Sequence, residues 1–172
     1  MVPCKSEECP YRIFILFLES NSSAMEIRRY QPSDLQQISQ LFYDTVHTVN
    51  ARDYSPEQLD AWASGQLDLA AWNGSFLAHY TLVALIDDQV AGFGDMTDAG
   101  YLDRLFVHKD YQGRGIATAL CDALEHAVDT ASFTTHASIT AKPFFEGRGY
   151  QVVKEQQVIR RGVRLTNYVM EK

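Results

Sequence analysis

A chain of 172 residues with 46% hydrophobic content is long enough for one sizeable core and short for two domains. Acidic residues outnumber basic ones, 22 to 15, for a formal net charge of -7, and that balance speaks against nucleic acid as a partner, because phosphate binding draws on clustered Lys and Arg. Cys4, Cys9 and Cys121 make neither the framework of a secreted scaffold nor the paired spacing of a zinc site, and they suit a reducing cytoplasm. The histidines are dispersed, no His-Glu-x-x-His occurs and no Gly-x-Ser-x-Gly marks a hydrolase elbow, so metal and serine-nucleophile chemistry are demoted.

Residues 1–24 read as an N-terminal extension, foreign to the rest of the chain: an upstream start, a tag-like arm or an extra element. Its apolar run Ile13 to Leu18 is too short to span a bilayer and lacks both a strongly basic start and a clear cleavage site, so neither membrane insertion nor secretion is expected. Residues 25–172 read as a single domain. Ile27 to Tyr30 is its first strand, and Ser33 or Asp34 caps a helix that carries Leu35, Ile38, Leu41, Phe42 and Val46 on one stripe. Ser55-Pro56-Glu57-Gln58 opens a second short helix, with a capping Ser, Pro at the first helical position and acid near the positive dipole end. Leu67 to Leu77 forms a further helical piece that turns Trp72 and Phe76 inward.

Tyr80 to Ile86, the polar turn Asp87-Asp88-Gln89 and Val90 to Met96 predict a hairpin, and Tyr101 to Val107 adds a strand to the meander. Ala117 to Val128 is an amphipathic helix, followed by a strand over Phe133 to Ser138. Pro143 to Glu146 is a short helix ended by Gly147 and Gly149. Val152 to Ile159 and Val163 to Met170 close the chain as a hairpin through Arg161-Gly162, with Arg160 and Arg164 beside the turn.

The most informative stretch joins that third meander strand to the amphipathic helix through Gly113 and Gly115. The glycines let the backbone turn without Cβ clashes, and the first helical N–H groups, unpartnered within the helix, point outward beside its positive dipole end. A pyrophosphate fits there, and Arg114 adds positive charge. The dinucleotide fingerprint fails, since Gly92-Phe93-Gly94 lacks its third glycine at Thr97, and no Gly-Lys-Ser/Thr of a P-loop occurs.

The remaining pattern, Gln112-x-x-Gly115-x-Ala117, resembles the acetyl-CoA signature of the GNAT superfamily of N-acetyltransferases. Ala141-Lys142-Pro143-Phe144-Phe145-Glu146-Gly147-Arg148-Gly149-Tyr150 resembles that family's later Ala-x-x-Phe-Tyr-Glu-x-x-Gly-Phe segment. Asp53 to Gln58, Gly100 to Asp103 and Tyr168 to Lys172 resemble a bacterial subgroup of uncharacterised acetyltransferases. The resemblance implies an α/β (α+β) fold with a mixed, mostly antiparallel central sheet flanked by helices and a βαβ unit that binds acetyl-CoA. It implies a cytoplasmic transferase moving acetyl directly from acetyl-CoA to a primary amine, with a small molecule or peptide as acceptor and no metal. The last hairpin's exposed edge and the N-terminal arm are the places where a homodimer would form, and the sequence does not fix the oligomeric state.

Carried over by position, backbone N–H groups of Gln112, Gly113, Arg114, Gly115, Ile116, Ala117 and Thr118 would hold the coenzyme A diphosphate. The backbone of Leu105, Phe106 and Val107 would pair with pantetheine, and the Val107 N–H would polarise the acetyl carbonyl. Ser138, Phe144 and Phe145 would line the other wall, with core packing an equal role for the two phenylalanines. The sequence departs from the family in two places. Phe145 stands where a tyrosine commonly serves as acid, leaving water, Ser138 or Tyr150 as donors, and Tyr101 stands nearest a common glutamate base. Asp103 is the first candidate base, with Tyr101 positioning a water chain and His79 or His47 behind it. Asp44, His47, Asp53 and Tyr54 would shape an acceptor pocket favouring a cationic amine, or else belong to a solvated, capped helix end. The competing class is a non-catalytic acyl-CoA-binding sensor or interaction module on the same fold.

Overall fold

The computed structural model describes the backbone of residues 14–16 and all of residues 24–172. Cys4 and Cys9 and most of the N-terminal extension lie outside the described residues. Three residues of that extension do form an element: β1 (Phe14–Leu16) pairs antiparallel with β2 (Met25–Arg29), lengthening the sheet at one edge.

The predicted elements occur in the predicted order: α1 (Leu35–Thr48), α2 (Pro56–Trp62), α3 (Leu69–Ala78), β3 (Tyr80–Ile86), β4 (Gln89–Met96) and β5 (Tyr101–Val107). Then come α4 (Ile116–Ala127), β6 (Thr134–Ser138), α5 (Lys142–Gly147), β7 (Gln151–Arg160) and β8 (Val163–Glu171). Local chemistry accounts for the boundaries. Ser55 accepts the Gln58 backbone N–H while the Gln58 side chain accepts the Ser55 N–H, a reciprocal cap that starts α2 with Pro56 in its first turn. Asp87 and Asp88 both adopt positive φ, 50° and 60°, the conformation that a two-residue hairpin turn needs. The start of α1 differs from expectation. Asp34 is buried, accepts the Gln31 N–H at 2.8 Å and takes both guanidinium arms of Arg28 at 2.8 Å, so it anchors the helix start to β2.

The eight strands among the described residues form one sheet in the order β1-β2-β3-β4-β5-β6-β8-β7. Every neighbouring pair is antiparallel except β5 and β6. One face is covered by α4, whose Ile116, Leu120, Cys121 and Leu124 form a helical stripe packed on Leu82, Ala84, Met96 and Leu102. The other face is covered by α1 to α3, through Ile38, Leu41, Phe42 and Phe76 against Val83, Leu85 and Phe93.

The parallel pair decides where a ligand can enter. Only Tyr101 with Thr134 and Leu102 with Thr135 are in register; beyond them β5 and β6 part, while β6 stays paired to β8 as far as Ser138. The rest of β5 is therefore bonded on its β4 side alone.

Candidate active site

The cleft between β5 and β6 is lined on one side by main chain with unused hydrogen-bonding groups. The His108 N–H donates to the Ala91 carbonyl at 2.8 Å, and antiparallel alternation from that bond directs the N–H groups of Leu105 and Val107 away from β4, into the cleft. The Val107 carbonyl, on the same side, is occupied by Thr45 Oγ1 at 3.0 Å and Gln112 Nε2 at 2.7 Å. Gln112 thus uses its side chain to tie the turn onto the end of β5 and keeps its backbone for other work. The Phe106 ring packs on the α1 side, stacked on Phe93 at 5.6 Å and edge-on to Phe42 at 5.0 Å, and by the same alternation its N–H and carbonyl face β4, so Phe106 offers no hydrogen-bonding group to the cleft.

At the head of α4 the N-cap residue is Gly115, with φ +78° and no side-chain cap. Ser, Thr or Asp there would occupy one of the first N–H groups; Gly115 leaves those of Ile116, Ala117 and Thr118 open. Gly113 has φ +72°, and a Cβ built on Gly113 or Gly115 meets no atom within 4 Å, so the bend is open to a ligand. Ile116 is 2% exposed and contributes backbone only. The Arg114 guanidinium lies 4.9 Å above the Tyr111 ring, beside the bend. Positive φ, open space and uncapped amides together fit a diphosphate.

The far wall is less open. The Ser138 Oγ accepts the Ala141 N–H at 3.1 Å, Phe144 is partly buried, and Phe145 is 3% exposed within the core against Phe144 and Tyr150. Phe145 is thus packed in the core, the role expected for it beside any cofactor contact. Tyr150 is removed as a proton donor to the cleft: its hydroxyl donates to Glu125 at 3.0 Å on the α4 side, and burial beside that carboxylate raises its pKa far above the ordinary range.

On the opposite face, at the mouth of the divergence, lies a charged cluster. Asp95 on β4 is fully buried and accepts Arg104 Nε and Nη2 at 2.9 Å each, with His79 Nδ1 2.6 Å from its Oδ2. Arg104 also reaches Asp103 Oδ2 at 3.0 Å, bonds Ser75 Oγ and lies over the Phe76 ring. Burial pushes the Asp95 carboxyl upward, and Arg104 and then His79 oppose that push. Ligand atoms of His79, Asp95 and Asp103 lie within 4.8 Å of one another. The Arg104 guanidinium, bidentate on Asp95 and bonded to Asp103, already supplies the cation that such a carboxylate set would draw. Tyr101 sits beside this group with its ring edge-on to His136 at 5.3 Å, and burial, reinforced by Asp103 and Asp95, raises its hydroxyl pKa so that it stays protonated.

The four residues expected to shape an acceptor pocket have other work. Tyr54 is buried, its hydroxyl donating to the Thr166 carbonyl at 2.7 Å and accepting the Ile139 N–H at 2.9 Å. Asp53 accepts Thr140 Oγ1 at 2.7 Å and Arg52 Nε at 2.9 Å, which hold its carboxyl below the usual range. His47 Nε2 lies 2.8 Å from the Ala63 carbonyl, and Asp44 accepts Gln40 Nε2 at 2.9 Å on the outer side of α1. None of the four lines a cavity among the described residues on this side, a space of about 350 Å³ bounded by α1, the α2–α3 connection and the β7–β8 turn. Local hydrogen bonds to neighbouring loops satisfy them instead. Sequence reading missed the Asp95–Arg104 pair, although its signal was present: opposite charges inside two successive apolar strands.

A mixed sheet that parts beside an uncapped strand-turn-helix junction defines a class of acyl-transfer protein, and comparison with known proteins agrees. The family model described as the acetyltransferase (GNAT) domain matches residues 50–172. An uncharacterised N-acetyltransferase of Escherichia coli (strain K12), YafP, is 41% identical over 146 residues, covering 85% of this chain and 94% of that protein. The crystal structure of a GCN5-related N-acetyltransferase from Rhodopseudomonas palustris superposes with a TM-score of 0.83 at 33% identity, covering 91% of this chain and 98% of that one. The PaiA N-acetyltransferase of Thermoplasma acidophilum, solved with coenzyme A, shares the fold at TM-score 0.70 and 17% identity, with 86% and 98% covered. The chain belongs to the GNAT acetyltransferase family and is an acyl-CoA-dependent acetyltransferase. Among the described residues no helix is long and apolar enough to cross a membrane.

Proposed function

We propose that the protein transfers acetyl from acetyl-CoA directly to a primary amine, with the cosubstrate lying in the β5–β6 cleft and the acceptor entering from the α1–α2 face. The observation that carries this reading is the early parting of β5 from β6, which leaves the Leu105 and Val107 N–H groups beside the open α4 N-terminus. Bound acetyl-CoA supplies a thioester carbonyl as electrophile. The backbone amides of Gly113 to Thr118 hold its diphosphate, the Val107 N–H beside the bend pairs with pantetheine, and the Leu105 N–H, deeper in the cleft and nearer Asp103, is aimed at the acetyl oxygen in place of the Val107 N–H expected from the sequence. A preorganised donor in that role is worth about 2.7–4 kcal/mol in other acyl-transfer sites.

An ammonium has no lone pair, so the acceptor must lose a proton before attack. Asp103, the exposed member of the charged cluster, receives the amine and passes its proton through water to His79. With Nδ1–H donated to the buried Asp95, His79 presents Nε2 as its basic nitrogen. Tyr101, held protonated, orients the water. Phe145 offers no proton to the departing thiolate and Tyr150 faces away, so the proton that the attacking nitrogen sheds as the amide forms passes to the thiolate through cleft water or the Ser138 hydroxyl.

Replacing Gly115 by Val tests the placement by calorimetry. A β-branched residue at φ +78° is strained and fills the bend. Acetyl-CoA binding is expected to fall by at least 100-fold in a variant that keeps its circular dichroism. Unchanged affinity would sink the placement, and thiol release across an amine panel tests transfer itself.

A further inference from the structure

The cavity beside the active cleft differs in charge from the rest of the molecule. Its walls carry Phe42, Tyr43, Trp62 and Leu67, with polar atoms from serines and glutamines, and among the described residues its one ionic group is Arg161. In a chain with 22 acidic residues, no carboxylate among the described residues lines it. Four arginines are ion-paired, Arg28 with Asp34, Arg52 with Asp53, Arg104 with Asp95, and Arg148 with Asp122 and Glu125, and among the described ones without an ion pair, Arg29, Arg114, Arg160, Arg161 and Arg164, only Arg161 lines the cavity. Arg161 is exposed and makes no ion pair among the described residues. It also occupies φ +49° ahead of Gly162 at φ +82°, a turn position that Asn, Asp or Gly fills at less strain. The cavity adjoins the chemistry, since the Phe42 and Trp62 rings lie 5.0 and 6.3 Å from Phe106, between Leu105 and Val107 on β5.

We propose that this cavity is an acceptor subsite for an amine whose aromatic or branched apolar body carries a carboxylate, with Arg161 as the counter-charge. This rests on the acetyl-transfer reading above and replaces the cationic acceptor expected from Asp44 and Asp53. A space of about 350 Å³ suits one small molecule or one terminal residue of a peptide. The aromatic walls bury its body, and the guanidinium fork matches a carboxylate in two parallel hydrogen bonds. The anionic group is thereby held at the β7–β8 turn while the amine points toward β5.

The test compares phenylalanine with phenethylamine, which lacks only the carboxylate, by thiol release from acetyl-CoA in the wild-type enzyme and in Arg161→Gln. The wild type is expected to favour phenylalanine in kcat/KM per free amine by at least tenfold. Arg161→Gln brings that ratio toward one through KM, and Arg161→Glu inverts it. Equal rates for the two amines in the wild type, or a ratio unmoved by Arg161→Gln, overturns the proposal. If acetyl-CoA binds and neither amine is acetylated, saturation-transfer NMR reads the subsite separately from transfer. Phenylalanine signal in the wild type that is lost in Arg161→Gln supports the subsite and places the failure on the transfer reading; no signal in the wild type overturns the subsite.

Discussion

The Tyr54 hydroxyl accepts the Ile139 backbone N–H at 2.9 Å, across 85 residues of chain, and donates to the Thr166 carbonyl at 2.7 Å. One buried phenol thus ties the loop before α2 to the end of β6 and to β8, the elements that keep the far wall of the cleft apart from β5. Tyr54→Phe removes one oxygen and leaves a part-buried N–H and a part-buried carbonyl without that partner. A loss of about 1–3 kcal/mol per unsatisfied group sets the scale. Urea unfolding should show a midpoint lowered with an unchanged slope, and a variant as stable as wild type would mean solvent reaches both groups.

Asp103 and Asp95 are both carboxylates touching Arg104, yet they answer differently to substitution. Asp103 is exposed, so Asp103→Asn should fold normally, bind acetyl-CoA within about twofold of wild type and lose about 100-fold in kcat/KM for the amine, the lower end of general-base contributions. Asp95 is wholly buried between Arg104 and His79. Asp95→Asn removes the bidentate charge partner of the Arg104 guanidinium, which keeps Asp103 and Ser75, and should cost about 3 kcal/mol of stability, the lower end for breaking a buried pair. Parallel measurement of binding, turnover and denaturation separates the two; an Asp103→Asn enzyme of full activity would remove Asp103 from the proton route.

Glu125 should contribute to acid sensitivity. Burial raises its pKa, but hydrogen bonds from Lys172 at 2.8 Å and Tyr150 at 3.0 Å and the ion pair with Arg148 at 3.2 Å outweigh burial and bring it below the usual value. A carboxylate with a lowered folded-state pKa contributes stability above its unfolded value of about 4.3, and that contribution disappears as pH falls through the lower folded value. Glu125→Gln should therefore be less stable than wild type at pH 7, with the gap closing below about pH 4. Thermal midpoints across that range give the check, and a gap that stayed constant with pH would assign the effect to packing.

What could be read from residue order was whatever depends on near neighbours. The cap at Ser55, the turn at Arg161-Gly162 and the glycine bend before α4 each come from a few adjacent side chains. The parting of β5 from β6 does not, because it depends on which of several strands pairs with β6 beyond Thr135, and β8 takes that edge. Asp53 and Tyr54 looked like acceptor groups for the same reason: their partners, Thr140, Ile139 and Thr166, are 85 or more residues away. Residue type told that they bond something polar, and only the fold told what.

Gly92 makes the same point in the other direction, and it carries a prediction of its own. In sequence, Gly92-Phe93-Gly94 is a failed nucleotide fingerprint. In the fold, a Cβ on Gly92 would stand 2.8 Å from Ile116 Cγ2 and 3.2 Å from Leu120 Cδ1, so the glycine lets α4 lie close on β4. Ile116 is the first residue of α4, next to the open bend, and its branched Cγ2 is stiff about χ1. Gly92→Ala must therefore shift the helix end that presents the diphosphate amides. Overpacking of this kind costs about 1–3 kcal/mol, and acetyl-CoA affinity should fall with it. Gly74→Ala, in α3 with nothing within 4 Å of the new methyl, should instead gain about 0.5–1 kcal/mol from helix propensity. Ile116→Leu removes the offending Cγ2, so combining it with Gly92→Ala should recover at least about 0.5 kcal/mol beyond additivity. Calorimetric binding and urea unfolding on the four variants measure both quantities, and strict additivity would show that the contact between β4 and the head of α4 does not set the geometry of the bend.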